Sequence, residues 1–204
     1  GFDLDRGLVA SVHLDAARYA TDGGLMLGER IVERLEQLPG IESASLANIL
    51  VLGTESSATR FQTETQTDTS LSPRTFINSV SPGYFAALGI PIGRGRDFDA
   101  RDRQGSPPVV IVSQAFADAY FPGAEPLGRR VRQSTDAPYA EIVGIVRDHK
   151  YQSYGEAATP ILYSAYAQQP RVSTQVRPVV VHVRTTVAPA SLLHCGRRAA
   201  RVSR

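Results

Sequence analysis

GLVASVHL, residues 7–14, and VVVHVRT, residues 179–185, are alternating stretches near the two ends of the chain. In each of them, apolar residues recur at every second position with a histidine between them, which is the pattern of a half-buried strand. A short link and a helix pattern follow both stretches. A β-α-β unit that exposes one apolar face is not stable alone. We therefore predict that the two strands lie beside each other, despite a separation of about 170 residues.

The first stretch opens a predicted β-α-β unit. Thr21 or Asp22 can cap its helix, and Pro39 and Gly40 end it. A returning strand is predicted at Ile41–Leu52, joined to the first strand by a right-handed crossover. The apolar face of the helix repeats every three or four residues, at Leu27, Ile31, Leu35 and Leu38.

The middle of the chain carries further strand patterns. The polar stretch 53–72 is predicted to be a loop around one strand, at Ala58–Thr65. IPIGRGRDF, residues 90–98, begins as a short strand and enters a charged turn. Five other strands are predicted, at residues 75–80, 109–112, 129–132, 141–146 and 161–166.

Two short helices are predicted between these strands. In SPGYFAALG, Ser81 suits the N-cap, Pro82 the first helical position and Gly89 the C-terminal cap. The second helix starts after Ser113 and ends at residues 122–123, Pro-Gly. The buried sides of the two helices are predicted to consist of Tyr84, Phe85 and Leu88 in the first, and Phe116 and Tyr120 in the second.

These elements predict an α+β fold with a split organisation. Residues 1–69 and 151–204 are expected to form one subdomain from both chain ends, with residues 70–150 inserted as a second, mixed α/β subdomain. The C-terminal copy of the unit continues into a helix that Pro189 opens, with Leu192 and Leu193 on its apolar side. Its return strand is expected to be missing, since HCGRRAARVSR follows.

Composition excludes several classes of function. The chain has 204 residues, 42% of them hydrophobic, and a net charge of +2. Lys150 is its lone lysine and follows no glycine run, so a phosphate-binding G-x-x-x-x-G-K-[ST] loop is impossible. Basic patches interleaved with aromatic residues are not seen, so no nucleic-acid partner is predicted.

The longest nearly apolar stretch, Leu46–Leu52, is far too short to cross a bilayer. GFDLDRG at the start does not resemble a signal peptide, so we expect a piece of a longer chain.

Acidic residues in RGRDFDARDR raise the question of a metal site. Asp97, Asp99 and Asp102 are closely spaced, and carboxylate oxygens bind calcium. The spacing does not fit a calcium-binding EF-hand loop. Arginines alternate with the acids, at positions 94, 96, 101 and 103. A surface turn held by salt bridges is therefore the preferred interpretation.

Histidine and cysteine offer little chemistry. His13 and His182 occupy matching positions in the two end strands and would be close if those strands pair, but two histidines rarely hold zinc. They are expected on ordinary polar strand faces. His194 and Cys195 are adjacent in a predicted helix, where neighbouring side chains point about 100° apart. His149 has no histidine partner at helical spacing, and no G-x-S-x-G motif occurs. We predict no catalytic, cofactor-binding or metal-binding residue, and no enzyme.

Several phrases, read in order, resemble the extracytoplasmic core domain of MacB-like ABC transporter permeases. They are PGIESASLANILVL, VSPGYFAALGIPIGRGRDF, PPVVIVSQAFADAYFPGAEPLGRRVR, EIVGIVRDHKY and PILYSAYAQ. The resemblance covers nearly the whole chain. It is closest to the duplicated permeases first noted in acidobacteria, which are grouped with the FtsX and lipoprotein-releasing permeases.

The resemblance implies both a fold and a location. In this family the domain lies between the first and second membrane helices, on the outer (periplasmic) side of the bacterial inner membrane. It has a porter-like subdomain made from both ends and an inserted subdomain called the sabre. These would correspond to residues 1–69 with 151–204 and to residues 70–150.

The resemblance also implies a mechanical role. A separate ATPase subunit on the cytoplasmic side would move the membrane helices of the full-length permease, and this domain would transmit the motion to the export or extraction of a substrate. A second permease copy or an adaptor protein would be a further partner. The substrate is left open among peptides, lipoproteins, macrolide-like drugs and other amphiphiles. The alternative is a freestanding extracytoplasmic binding or adaptor module, which would need a concave apolar pocket.

Overall fold

The structure is a computed structural model that describes residues 6–12, 23–53, 55–153, 155, 157–168 and 179–186. The predicted caps Thr21 and Asp22, the helix at Pro189, and His13, His194 and Cys195 lie outside these ranges. The strands are β1 (Gly7–Val12), β2 (Ile41–Ala47), β3 (Ala58–Thr59), β4 (Gln62–Thr63), β5 (Thr75–Val80), β6 (Ile92–Gly95), β7 (Val109–Ser113), β8 (Arg130–Arg132), β9 (Ala140–Val146), β10 (Ile161–Ala165) and β11 (Val179–Thr185). The helices are α1 (Gly23–Glu36), α2 (Tyr84–Ala87) and α3 (Gln114–Tyr120), and 3-10 turns occupy Thr69–Leu71 and Tyr166–Gln168.

The described strands form one mixed sheet. Its order is β1-β11-β2-β5-β10-β7-β9-β8-β4, with β3 added to β5 and β6 added to β9. The pairs β5-β10 and β7-β9 are parallel, and the other pairs are antiparallel. With three helices in the described part, this arrangement confirms the α+β class.

The pairing of the two end strands is confirmed. Strand β11 runs antiparallel to both β1 and β2 and lies between them. Strands β1 and β2 are therefore parallel, as a β-α-β unit requires, with one position of the sheet between them. Helix α1 packs its apolar face on β2, where a Cβ at Gly28 would lie 2.7 Å from Leu46 Cδ1.

Three buried clusters line the sheet. One surrounds α2 and contains Tyr84, Phe85 and Tyr163, a second lies under α3 around Phe116, and a third lies under α1 around Leu46. Strand β7 is buried along its whole length, which confirms the continuous apolar run as a strand covered on both faces. The sheet continues from the end strands into the middle of the chain, and the division into two subdomains stays a prediction.

The cap of helix α3 is confirmed. The hydroxyl of Ser113 accepts a hydrogen bond from Phe116 N at 3.2 Å and a second from Ile161 N at 3.0 Å. The rings of Phe116 and Tyr120 are stacked with centroids 4.2 Å apart. One hydroxyl thus starts the helix and also joins it to β10.

The cap predicted for helix α2 is wrong. The helix starts at Tyr84 after Gly83, whose φ of 79° is left-handed and favours glycine. The hydroxyl of Ser81 instead accepts a hydrogen bond from Leu46 N at 2.8 Å. Gly89, with φ of 66°, follows the C-cap Leu88 as predicted.

Two strand predictions were too long. The strand from Ile41 ends at Ala47, because the amide side chain of Asn78 then pairs with both Ile49 N and Ile49 O and the chain turns away. The strand predicted at Ala58–Thr65 is two short strands, since β3 pairs with β5 and β4 pairs with β8. Smaller shifts occur at β8, which starts at Arg130, and at β10, which ends at Ala165.

Candidate functional site

The charged turn after β6 is built around a buried carboxylate. The Asp102 side chain is 5% exposed, and Arg96 donates to both of its oxygens, from Nη1 at 2.7 Å and from Nη2 at 2.9 Å. The backbone N–H of Asp99 donates to the same carboxylate at 2.9 Å. Asp102 is therefore the fixed centre of the turn, held by one cation and one amide.

The other two acids have different surroundings. Asp97 accepts hydrogen bonds from Phe98 N at 2.7 Å and from Gly83 N at 3.2 Å, which ties the turn to the start of α2. Burial raises the pKa of Asp97, against the effect of these two donors. Asp99 faces solvent, and hydrogen bonds from Arg101 lower the pKa of its carboxyl group.

The prediction that salt bridges hold this turn is confirmed at Asp99 and at Asp102. Only the surface position is wrong for Asp102, whose carboxylate is buried as the counter-ion of Arg96. Arg96 Nη1 lies 2.7 Å from Asp102 and 3.4 Å from Asp99, whereas Asp97 accepts from backbone N–H groups. Within the residues that the structure describes, no group of three or more His, Cys, Asp or Glu side chains has a metal-binding arrangement.

His182 is not on a polar strand face. Its side chain is 2% exposed and lies in the core, because α2 covers this side of β11. In the antiparallel register, Val9 is opposite His182 on β1, and Val12 is opposite Val179. His13 lies outside the described residues, so the closeness of the two end-strand histidines stays a prediction.

His182 begins a row of four rings, which we call the ring row: His182, Tyr84, Tyr163 and His149. Successive centroids are 5.2, 5.9 and 6.1 Å apart. At its far end, His149 Nε2 is 2.7 Å from the hydroxyl of Tyr163. Burial raises the pKa of Tyr84 and of Tyr163 well above the ordinary value, so both phenols stay neutral. The row crosses the core from the end strands, through α2, to the loop after β9.

The ring row lies beside a narrow junction of the sheet. Strands β2 and β5 share one register pair, Ala47 with Val80. Two backbone hydrogen bonds extend it, from Asn48 N to Ser79 O and from Ser81 N to Leu46 O, both at 3.0 Å. We call the segments 46–48 and 79–81 the junction. Helix α2 packs against both β2 and β11 and so braces it.

A surface cleft lies at the end of β9. Its volume is about 520 Å³. Asp148 on its wall accepts a hydrogen bond from Ala115 N at 2.8 Å, and Arg94 pairs with Glu125 at 3.0 Å. Its lining is mixed polar and apolar and consists of Gly93, Arg94, Gln114, Ile145, Val146, Arg147 and Asp148.

Two residues that organise the core, Asn78 and Tyr163, were not predicted from the sequence. A polar Asn78 inside the apolar strand TFINSV was a usable signal, because a buried amide must find hydrogen-bond partners. Tyr163 gave no such signal within PILYSAY, since tyrosine is common in strands.

Among the described residues, no helix has the length and apolar character that a membrane crossing requires. The family model of the MacB-like periplasmic core domain matches residues 9–193. The chain therefore belongs to this family, and it is an extracytoplasmic domain of an ABC transporter permease.

Two curated relatives are each named macrolide export ATP-binding/permease protein MacB. The protein from Rhodospirillum rubrum is 46% identical over 56 residues, which is 27% of this chain and 9% of that protein. The protein from Azoarcus sp. is 28% identical over 120 residues, which is 59% of this chain and 17% of that protein. The matches thus span under a fifth of the length of these relatives.

Solved structures share the fold at low sequence identity. The periplasmic region of MacB from Actinobacillus actinomycetemcomitans superposes with a TM-score of 0.63 at 17% identity, covering 95% of this chain and 81% of that one. The extracellular domain of the transporter YknZ from Gram-positive bacteria gives 0.57 at 15% identity, with coverages of 95% and 90%. A domain of a permease from Porphyromonas gingivalis gives 0.57 at 19%, with coverages of 97% and 86%.

Proposed function

We propose that this domain transmits ATP-driven motion of the permease's membrane helices to a substrate on the outer side of the membrane. The helices would belong to the same full-length chain, and ATP would be hydrolysed by a separate subunit on the cytoplasmic side. A second permease copy or an adaptor protein would complete the assembly. The domain itself would be neither an ATPase nor another enzyme, in keeping with Lys150 as the lone lysine.

The pairing of β1 with β11 is the observation that carries the proposal. Six residues of β1 are in register with β11, from Gly7 with Arg184 to Val12 with Val179. A displacement that enters from either end of the chain therefore acts on adjacent strands of one sheet. Hydrogen bonds through the junction and the packing of α2 then carry it toward β9 and β8.

Flexible linkers provide the test. A Gly-Ser segment would be inserted in the full-length permease just before β1 and just after β11, where it makes both connections to the membrane helices compliant. A matched control carries the same segment between Asp136 and Ala137, in the loop between β8 and β9. Export of a macrolide, the compound in the relatives' names, would be measured first and lipoprotein release second, each beside ATP hydrolysis.

We expect the end linkers to abolish export while ATP hydrolysis continues, and the loop linker to leave both intact. Full export with the end linkers would contradict transmission through the domain. That result would favour the alternative of a binding or adaptor module. The cleft beside Arg147 is then the first place to examine, although its lining lacks the mainly apolar character of most ligand pockets.

A further inference from the structure

His182 lies where the end strands meet helix α2. It is the central residue of β11, opposite Ser45 on β2 and Val9 on β1. Its ring meets the ring of Tyr84 edge to face, with centroids 5.2 Å apart and an interplanar angle of 88°. His182 therefore joins the end strands to the helix that braces the junction.

The surroundings of His182 suit a neutral ring and not a cation. Neither ring nitrogen has a hydrogen-bond partner among the described residues, and the same holds for the hydroxyls of Ser45 and Tyr84. A protonated imidazole has two N–H donors, and leaving charged donors unpaired inside a protein is costly. Burial lowers the pKa of His182 to about 4 from the ordinary 6.5.

No described group compensates a positive charge at this position. Tyr84 is the titratable group that faces the ring from α2, and the opposite residues on β1 and β2 are Val9 and Ser45. On β11 itself, Arg184 lies two residues away and is 3.6 Å from the carboxylate of Glu42. Tyr163, behind Tyr84, is neutral. A proton on His182 would therefore be opposed by burial.

His149 at the other end of the ring row is different. Its Nδ1 is 3.0 Å from Arg147 O and its Nε2 is 2.7 Å from the Tyr163 hydroxyl. Both positions offer an oxygen that can accept an N–H, so a charged ring keeps its hydrogen bonds. The two buried histidines form a matched pair: His149 has hydrogen-bond partners, and His182 has none among the described residues.

We propose that His182 is an acid-sensitive latch: its neutral ring holds helix α2 against β11 and β2, and its protonation releases α2 from these strands. Released α2 no longer braces the junction, where β2 and β5 share one register pair. If the domain transmits motion as proposed above, acidification of the outer side then uncouples the end strands from the rest of the sheet. The latch is a property of the folded chain, whereas this consequence rests on the proposed function.

The first test is the pH dependence of unfolding of the isolated chain. Because the pKa of His182 is lower in the folded state than in the unfolded state, the unfolded state binds more protons between pH 6.5 and about 4. Stability is therefore lost as the pH falls through this window. The unfolding equilibrium constant should rise about tenfold per pH unit, or about 300-fold in all, from this one group.

His182→Phe keeps an aromatic ring and cannot titrate, so its unfolding should lack the part of the acid dependence that comes from His182. His149→Gln is the control and should keep it. Carboxylates titrate in all three proteins, so the difference from wild type isolates His182. Should His182→Phe fail to fold, His182→Gln serves, because it is polar and does not titrate. Undiminished acid dependence in a folded His182 variant would overturn the proposal.

The second test locates the opening. Hydrogen exchange at pH 7 and pH 4.5 would be compared in peptides covering residues 81–90 and 107–113. In the wild type, we expect acidification to speed exchange at residues 81–90 while β7 still exchanges slowly. In His182→Phe, this early increase at residues 81–90 should be suppressed. Exchange that rises in both peptides together would show global unfolding and refute the latch. Both tests use the isolated chain, so they stand even if the linker experiment fails.

Discussion

Removal of the Asp102 carboxylate tests whether the turn after β6 is a structural centre. In Asp102→Ala, Arg96 loses two hydrogen bonds of 2.7 and 2.9 Å, and Asp99 N loses one of 2.9 Å. A hydrogen bond to a charged group contributes about 1.5–3 kcal/mol. The Arg96 side chain is 36% exposed, so water replaces part of what it loses. We therefore expect the free energy of unfolding to fall by about 2–3 kcal/mol, below the sum of the three bonds.

Asp99→Ala is the matched control, three residues away in the same turn. Its carboxylate pairs mainly with Arg101, whose side chain is 77% exposed, and more weakly with Arg96 at 3.4 Å, so water can replace most of what is lost. Urea unfolding should be followed by circular dichroism, since the chain has no tryptophan. A large drop in midpoint for Asp102→Ala beside a small one for Asp99→Ala is expected. Equal drops, or the reverse order, would refute the assignment of Asp102 as the centre of the turn.

Three other substitutions test the packing and the backbone. Phe85→Ala removes a ring that is 1% exposed and 5.0 Å from the Tyr163 ring, so urea unfolding should show a loss of about 3–5 kcal/mol. Ser113→Ala loses the α3 cap and the bond to β10, and a loss of about 1–2 kcal/mol should appear in the same melts. Gly95→Ala places a Cβ against Val143 O at a φ of 77°, and its melting temperature should fall well below that of the exposed control Gly155→Ala. A wild-type midpoint in any of these variants would contradict the corresponding contact.

Local patterns in the sequence predicted most of the architecture. The alternation in β1 and β11 predicted their pairing, because two half-buried strands need a shared core. Ser113 was predicted as a cap because its hydroxyl and the Phe116 N–H that donates to it lie within four residues of each other. The family was also recognised from its phrases, while the acidobacterial subgroup stays a prediction.

The failures come from contacts between distant segments. Ser81 has the sequence context of an N-cap, but its hydroxyl bonds to Leu46 N, 35 residues away. His182 was predicted to lie on a polar strand face. It is instead buried by α2, which lies nearly 100 residues earlier in the sequence. Asp102 resembles its acidic neighbours in sequence, and only the folded turn distinguishes it from Asp99. Burial that depends on the rest of the fold is not visible in a local pattern.

The proposed transmission of motion requires that the domain moves as one body when ATP drives the membrane helices. It is tested most directly by electron–electron distance measurements in the full-length permease, with Cys195 replaced by Ser and spin labels at Glu33→Cys on α1 and Gln133→Cys after β8. Between the nucleotide-free and ATP-bound states, we expect the Glu33–Gln133 distance distribution to stay the same, while the distance from Gln133 to a label on a membrane helix changes. A Glu33–Gln133 distribution that shifts with ATP would contradict the account, because the sheet would then bend at the junction instead of transmitting the motion.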